Sequence, residues 1–352
     1  MKLRSGITTG ACAAAAARAA TEALVAGIAP AEVEVRLPSG ATIRVPVHSV
    51  HVHDGAVAAT AAVRKDAGDD PDATHGLEIQ ATISWDAAPG VTFVAGEGVG
   101  TVTKPGLQVP PGQPAINPVP RQMIAAAIRA LTSRGVRVEI AIPGGRQVAQ
   151  RTFNPRLGIE GGLSILGTTG IVRPYCRRAL HDALKCTLDV AVACGVTAPV
   201  LVPGNIGAKA ARARFALRAE QVVEVGNEWH FMLPLLREYP LQAVLILGHP
   251  GKLAKLAQRQ WDTHSARSTP AAPQVARLCQ EVLACAAPDS PTTEGLFAAL
   301  DAVQRKTLAD VLAGRVRAAV AEQLGRNLPV AALLVDMAGQ GIGADGDFSP
   351  WQ

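Results

Sequence analysis

The spacing of apolar and polar positions changes character partway along the chain. From Thr8 to Ala26 the sequence is small and apolar with few interruptions. Thr8 or Thr9 stands where a hydroxyl can satisfy the orphan amides of a first helical turn, so this stretch predicts an Ala-rich helix. Val33-Glu34-Val35-Arg36-Leu37 and Thr42-Ile43-Arg44-Val45 alternate apolar with polar on either side of Pro38-Ser39-Gly40, which predicts a hairpin. Strand patterns recur at 77–85 and 91–94. Residues 104–120 carry six prolines and two glycines, so they predict an ordered but irregular crossing. A helix over 121–133, ended by Gly135, and a strand over 136–142 complete this half.

Beyond about residue 155 apolar runs are each followed by a glycine turn and then a helical pattern. Leu163-Ser164-Ile165-Leu166 precedes Gly167-Thr168-Thr169-Gly170, and Pro199-Val200-Leu201-Val202 precedes Pro203-Gly204-Asn205-Ile206-Gly207. Val222-Val223-Glu224-Val225 precedes Gly226-Asn227, and Ala243-Val244-Leu245-Ile246-Leu247 precedes Gly248-His249-Pro250-Gly251. Repeated strand, turn and helix implies a parallel sheet. Helices are expected over most of 273–325, a last buried strand over 330–336, and no regular element in the Gly- and Asp-rich tail 339–352. The expected architecture is an N-terminal α+β domain, 1–150, followed by a Rossmann-like α/β domain with a mainly parallel sheet, 151–352.

Composition narrows the function. Hydrophobic residues make up 48% of the chain but aromatics only 3%, so the core is built from Ala, Val, Leu and Ile. No apolar run approaches the roughly 20 residues of a membrane span, and the start of the chain lacks a Leu-rich export core. Six cysteines without a C-x-x-C pair fit reduced thiols in a cytoplasm and argue against a zinc site built from them. The net charge of +5 favours an acidic partner. Dispersed Arg and Lys with almost no aromatics for stacking speak against nucleic acid.

The four glycine turns are the main candidates for chemistry, because ligands of open α/β sheets bind beyond the carboxyl ends of the strands, against helix N-termini. Any one of them alone reads as a tight turn. None follows G-x-G-x-x-G with a later acidic residue; Gly96-Glu97-Gly98-Val99-Gly100 resembles it but opens no helix, and no Walker A loop is present. His48, His51 and His53 with Asp54, and the run Asp66, Asp69, Asp70 and Asp72, could each be drawn as a cation site. An exposed strand and a solvated turn are the plainer readings. His249 and Thr263-His264-Ser265 lie where a ligand edge is expected, Lys104 and Arg121 border the Pro-rich loop, and Asp336 is either a ligand group or a cap.

Taken in order, the motifs are more specific than any one residue. Arg4-Ser5-Gly6-Ile7-Thr8-Thr9-Gly10-Ala11-Cys12-Ala13-Ala14, Val102-Thr103-Lys104-Pro105-Gly106-Leu107, Ile116-Asn117-Pro118-Val119-Pro120-Arg121 and Gly167-Thr168-Thr169-Gly170-Ile171-Val172-Arg173-Pro174 come first. Gly204-Asn205-Ile206-Gly207, Gly248-His249-Pro250-Gly251-Lys252-Leu253 and Thr263-His264-Ser265 follow. This series resembles the cobalt-precorrin-5B C1-methyltransferase (CbiD) family over nearly the whole chain. Ala11, Tyr175-Cys176 and Pro250 depart from the family pattern.

The resemblance implies methyl transfer from S-adenosylmethionine to C1 of cobalt-precorrin-5B, giving cobalt-precorrin-6A in anaerobic cobalamin biosynthesis, with cobalt carried only within the corrinoid substrate and no protein metal site. On that reading Gly167, Thr168, Thr169, Gly170, Gly204, Asn205, Gly207, Gly248 and Gly251 hold the cofactor. Thr8, Thr9, Lys104, Arg121 and Arg173 engage the substrate, and His249 or His264 orients it or accepts a proton. Two rival readings use the same features: a nucleotide- or phosphate-dependent α/β enzyme, and a non-catalytic corrinoid carrier. A homo-oligomer is compatible with all three.

Overall fold

The computed structural model describes residues 3–325 and 327–352, the Asp54 side chain excepted. Met1 and Lys2, at the start of the chain read above for an export core, lie outside the described residues. The chain divides into two compact units, 1–177 and 178–352.

The first unit contains, in chain order, β1 (Gly6–Ile7), α1 (Thr9–Ala26), β2 (Glu32–Arg36), β3 (Thr42–Pro46), β4 (Ser49–Val52), β5 (Ala58–Arg64), β6 (Glu78–Trp85) and β7 (Val91–Ala95). There follow β8 (Thr101–Val102), α2 (Pro118–Arg129), β9 (Val136–Ala141), α3 (Gly145–Ala149), β10 (Ile159–Glu160) and β11 (Ile171–Val172). Strands β2 and β3 form the expected hairpin. The main sheet has the order β4-β5-β6-β9-β7, antiparallel except for β7 beside β9. Helix α1 packs against β5, β6 and α2 and is buried almost all round, with Ala11 through Ala17 having no exposed surface. That explains its composition: a helix enclosed on every side, with sheet and helix both close to its axis, accommodates methyl groups and little else.

The second unit contains α4 (Arg177–Ala193), β12 (Val200–Val202), α5 (Asn205–Arg214), β13 (Val222–Glu224), α6 (Trp229–Leu235), β14 (Val244–Gly248) and α7 (Pro250–Ala257). It ends with α8 (Ala271–Leu283), α9 (Thr293–Ala298), α10 (Ala302–Leu324), β15 (Val330–Val335) and β16 (Gly341–Asp345). The sheet order is β13-β12-β14-β15-β16, with the first four strands parallel and β16 antiparallel. Alternate residues of each strand enter two different cores. Leu201, Ile246 and Leu334 join the larger one, and Val202, Leu247 and Leu333 the other, so the strands are apolar without alternation. Among the described residues no helix is long and apolar enough to cross a membrane.

Three sequence expectations change here. The boundary between units falls after Arg177, not near 150. The reason is that 163–166 is no strand of the parallel sheet: Leu163 and Ile165 make single bridges to Val99 and Ile116, and Ile171–Val172 pairs with Gly6–Ile7, all within the first unit. The expected structureless tail contains β16, whose apolar signal is broken by Gly343. A Cβ there would stand 2.4 Å from the Ala309 backbone, so the glycine lets α10 lie directly on the strand.

Candidate functional site

In the second unit the chain leaves β12 for its neighbour on one side, β13, and returns on the other side as β14. A reversal of this kind opens a crevice between the carboxyl ends of β12 and β14. The turns after these two strands are Pro203-Gly204-Asn205 and Gly248-His249-Pro250-Gly251, and they touch: a Cβ on Gly248 would lie 2.7 Å from Cδ of Pro203. A Cβ on Gly207 would lie 2.9 Å from the Leu247 carbonyl oxygen, and one on Gly251 3.0 Å from Nδ1 of His249. These three glycines are required by packing. Gly204 differs, for its backbone is extended and a Cβ there would meet nothing within 4 Å. It faces open space at the start of α5, a ten-residue helix with no capping side chain, so the first amides of α5 are available to a ligand.

His249 caps α7: its Nδ1 accepts from the Gly251 amide at 3.0 Å, and its Nε2 lies 2.8 Å from Glu294 Oε2. An accepting Nδ1 puts the proton on Nε2, which donates to the carboxylate. With both ring nitrogens engaged, His249 has no lone pair left for a substrate proton. Pro250 occupies the first helical position, where its missing N–H costs nothing, so this departure from the family pattern suits the turn.

His264 is half-buried. Its Nδ1 accepts from the Ala266 amide at 3.2 Å, which leaves the proton on Nε2. The adjoining Thr263 is fully buried and donates to Asn227 Oδ1 at 3.0 Å. Lys252 donates to the same oxygen at 2.7 Å and to the Thr263 carbonyl at 3.3 Å, while Lys255 reaches that carbonyl at 3.2 Å and Ser268 Oγ at 2.8 Å. Thus the turn after β13, the start of α7 and the 263–268 segment are tied by one polar network. Burial, and for Lys252 also the neighbouring Lys255, holds both lysines below their ordinary pKa. Asn227 and Glu294 were not singled out as site residues by sequence. Only their place just past β13, or at the start of a short helix, hinted at a role.

The remaining candidates lie in the first unit. Thr8 is the N-cap of α1 and accepts from the Ala11 amide at 3.2 Å. Thr9 is buried and bonds both ways with Leu166, donating to its carbonyl at 3.2 Å and accepting from its amide at 3.0 Å. The Thr8 amide donates to the Gly170 carbonyl, and a Cβ on Gly167 would stand 2.3 Å from Thr8 Oγ1. The first and fourth motifs are therefore one packed structure, and Gly167-Thr168-Thr169-Gly170 is no part of the parallel-sheet edge. Thr168 and Thr169 are exposed on it.

Arg121 donates from Nε to the Ile116 carbonyl at 2.8 Å and from Nη2 to the Pro114 carbonyl at 3.1 Å, with its guanidinium over Phe93. It organises the Pro-rich loop; so committed, neither it nor the buried Thr9 is free to grip a carboxylate. The half-buried Lys104 lies across Gly158, whose Cβ would fall 2.5 Å from the lysine stem. Arg173 is exposed and has no side-chain partner among the described residues.

The plainer readings hold for several other groups. His53 Nε2 bonds Thr60 and its ring meets that of His51 edge-on at 5.0 Å, while His48 pairs with Glu78, so the three histidines do not share one centre; the Asp54 side chain lies outside the described residues. Asp66 pairs with Arg4, Asp69 accepts the Arg4 amide, Asp70 the Tyr175 amide, and Asp72 binds Lys65 at 2.5 Å, which uses up the acidic run. Asp336 accepts the Gln340 amide in the turn before β16. Gly98 presses on the Ile142 carbonyl, so the 96–100 run serves backbone packing. Cys12 is buried and its thiol pushed up to about 12, principally by burial, so it is inert.

A family model described as CbiD matches residues 1–174. A protein of Syntrophotalea carbinolica named cobalt-precorrin-5B C(1)-methyltransferase is 52% identical over 352 residues, covering 99% of each chain. One of the same name from Moorella thermoacetica is 46% identical over 288 residues, 81% of this chain and 76% of that relative. A crystal structure of the cobalamin biosynthesis protein cbiD from Archaeoglobus fulgidus aligns at 30% identity and a TM-score of 0.41, covering 75% of this chain and 83% of the other.

Proposed function

This chain belongs to the cobalt-precorrin-5B C(1)-methyltransferase family, and from that premise we propose that it transfers a methyl group from S-adenosylmethionine to C1 of cobalt-precorrin-5B. The product is cobalt-precorrin-6A. The observation that carries the reading is the 52% identity to a relative of that name over 99% of both chains. Support from the fold comes from the second unit, whose four parallel strands reverse direction of winding between β12 and β14, the kind of crevice in which open α/β sheets bind ligands.

The donor's residues are Gly204 and Asn205, with Gly207, Gly248 and Gly251 bringing the backbone close. The fit rests on the open space above Gly204 and the uncapped amides of α5, suited to a carboxylate or ribose hydroxyl. When bound there, S-adenosylmethionine supplies an electrophilic methyl group. The protein's own task is to hold donor and acceptor in line and exclude water, an effect worth about 7–11 kcal/mol when geometry is near ideal. No strong general base is demanded, in keeping with a His249 engaged at both nitrogens.

His264 offers an Nε2–H that can orient a substrate carboxylate. Arg173 and Lys104 are the charged groups of the first unit assigned to the polycarboxylate ring, and the exposed Thr168 and Thr169, expected at the donor, lie in the same motif as Arg173. Thr8, Thr9, Gly167, Gly170 and Arg121 shape that surface. Cobalt belongs to the substrate. The protein works in the cytoplasm.

Thermal stabilisation by several ligands tests the reading against a phosphate-dependent enzyme. We expect S-adenosylmethionine or its demethylated product to raise the melting temperature and ATP and NAD to leave it unchanged; the reverse pattern would overturn the proposal.

A further inference from the structure

We propose that the second unit carries a divalent transition-metal site made of His181, Glu228 and His230, independent of the methyl-transfer reading. One ligand atom from each of the three lies within 4.8 Å of the others. His181 Nε2 stands 2.7 Å from Glu228 Oε2, and His230 Nε2 stands 3.6 Å from the same oxygen. Two ligands bound to one ion at about 2.0–2.2 Å each sit roughly 3.0–3.5 Å apart in tetrahedral or octahedral geometry. Those two separations bracket that range, and the His181 and His230 ligand atoms lie within 4.8 Å of each other, so small side-chain rotations bring the three onto one ion. Two imidazoles and one carboxylate are the donor set of zinc and of ferrous, cobalt and manganese centres that keep open positions.

The ligands are held by two elements, α4 and the start of α6, and each ligand is fixed for a separate reason. His181 projects from α4, and its ring stacks on Phe231 at 4.1 Å between centroids with 5° between planes, which fixes the direction of its nitrogens. Glu228 precedes α6, its carbonyl accepting the Phe231 and Met232 amides, and its side chain is only 6% exposed. His230 lies in the first turn of α6, where its amide donates to the Trp261 carbonyl at 2.9 Å.

Glu228 and Asp262 form a β-bridge, and the Thr263 amide donates to the Asn227 carbonyl, so the loop bearing Glu228 and His230 is pinned along 261–263. Asp262 in turn is clamped by Arg267 at 2.6 Å. A rigid ligand loop with a buried carboxylate and ring nitrogens fixed by stacking is preorganised in the way metal centres require. A polar cluster with no such role would need only the His181–Glu228 contact.

The test uses the full-length chain stripped of metal by chelation. Titration with Zn2+ by calorimetry is expected to give one ion per chain, and Co2+ a visible d–d spectrum of nitrogen and oxygen ligation. His181→Ala and His230→Ala should each weaken Zn2+ binding tenfold or more, and Glu228→Gln, which keeps the shape, should do the same with an unchanged circular dichroism spectrum. Equal affinity in wild type and all three variants would overturn the site, as would a Co2+ spectrum with thiolate charge-transfer bands, which would place the ion on cysteine.

Discussion

Two glycines at the crevice between β12 and β14 have opposite surroundings, and an alanine at each separates a packing glycine from a ligand glycine. At Gly248 the new Cβ would stand 2.7 Å from Pro203 Cδ, inside the closest approach of real side chains, and the ring cannot rotate away. Overpacking of this kind costs about 1–3 kcal/mol. For a unit of this size each kcal/mol lowers the melting temperature by about 2–4 °C, so Gly248→Ala should melt roughly 2–12 °C lower.

At Gly204 the backbone is extended and the Cβ meets nothing within 4 Å, so Gly204→Ala carries no packing cost. Loss of freedom in the unfolded chain even adds about 0.4–1 kcal/mol of stability. If this turn lets the donor approach the backbone, the same methyl intrudes on bound S-adenosylmethionine. A cost of about 1–3 kcal/mol corresponds to roughly 5- to 150-fold weaker binding. Differential scanning fluorimetry and calorimetric titration with S-adenosylmethionine read both quantities. A Gly204→Ala variant that melts as wild type and binds the donor equally well would refute the assignment of the turn.

The remaining expectations concern the other site candidates and one buried ion pair. Asp72→Asn leaves Lys65, which is 2% exposed, without its partner, and should cost about 3 kcal/mol, measured by urea denaturation at pH 7. Burial works to raise the Asp72 pKa, but hydrogen bonds from Lys65 and Thr74 outweigh it and hold the carboxyl below its ordinary value. A depressed carboxyl stabilises above the unfolded value of about 4, and that stability is lost as pH falls through the folded value; the gap between wild type and Asp72→Asn should therefore close below about pH 4. A gap that stays constant down to pH 2 would contradict the ion pair's role.

His249→Asn, which preserves a helix cap, should retain methyl transfer within about tenfold in a steady-state assay, whereas a loss beyond a hundredfold would restore a chemical role for the imidazole. Arg173→Ala should raise KM for the corrinoid, by an amount that shrinks with added salt, without changing the melting temperature. Arg121→Ala should instead lower the melting temperature, since the Ile116 carbonyl loses its side-chain donor and the Pro114 carbonyl one of its two.

What could be read from the sequence was what depends on local period. The alanine run of α1, the β2–β3 hairpin and the apolar strands β12, β14 and β15 declare themselves because burial on one or all sides imposes a pattern on neighbouring residues. Residues 163–170 misled because an apolar run before a glycine turn looks the same whether it joins a parallel sheet or makes single bridges elsewhere. Strand β16 was hidden because contact with α10 demanded Gly343 where a strand would show a side chain.

The site followed the same division. The motif glycines were visible, but which of them face a ligand depends on the neighbours of an absent Cβ, as Gly204 and Gly248 show. Thr9 and Arg121 were conspicuous polar residues whose partners proved to be backbone groups. Nor could the cluster of His181 and Glu228, 47 positions apart, be inferred from either position alone.

The central claim is methyl transfer to a defined ring carbon. It is tested most directly by incubating the purified chain anaerobically with cobalt-precorrin-5B and methyl-labelled S-adenosylmethionine and locating the label by mass spectrometry and NMR. The account predicts one labelled methyl group at C1 of the ring; tight corrinoid binding without transfer, or label at another carbon, would contradict it.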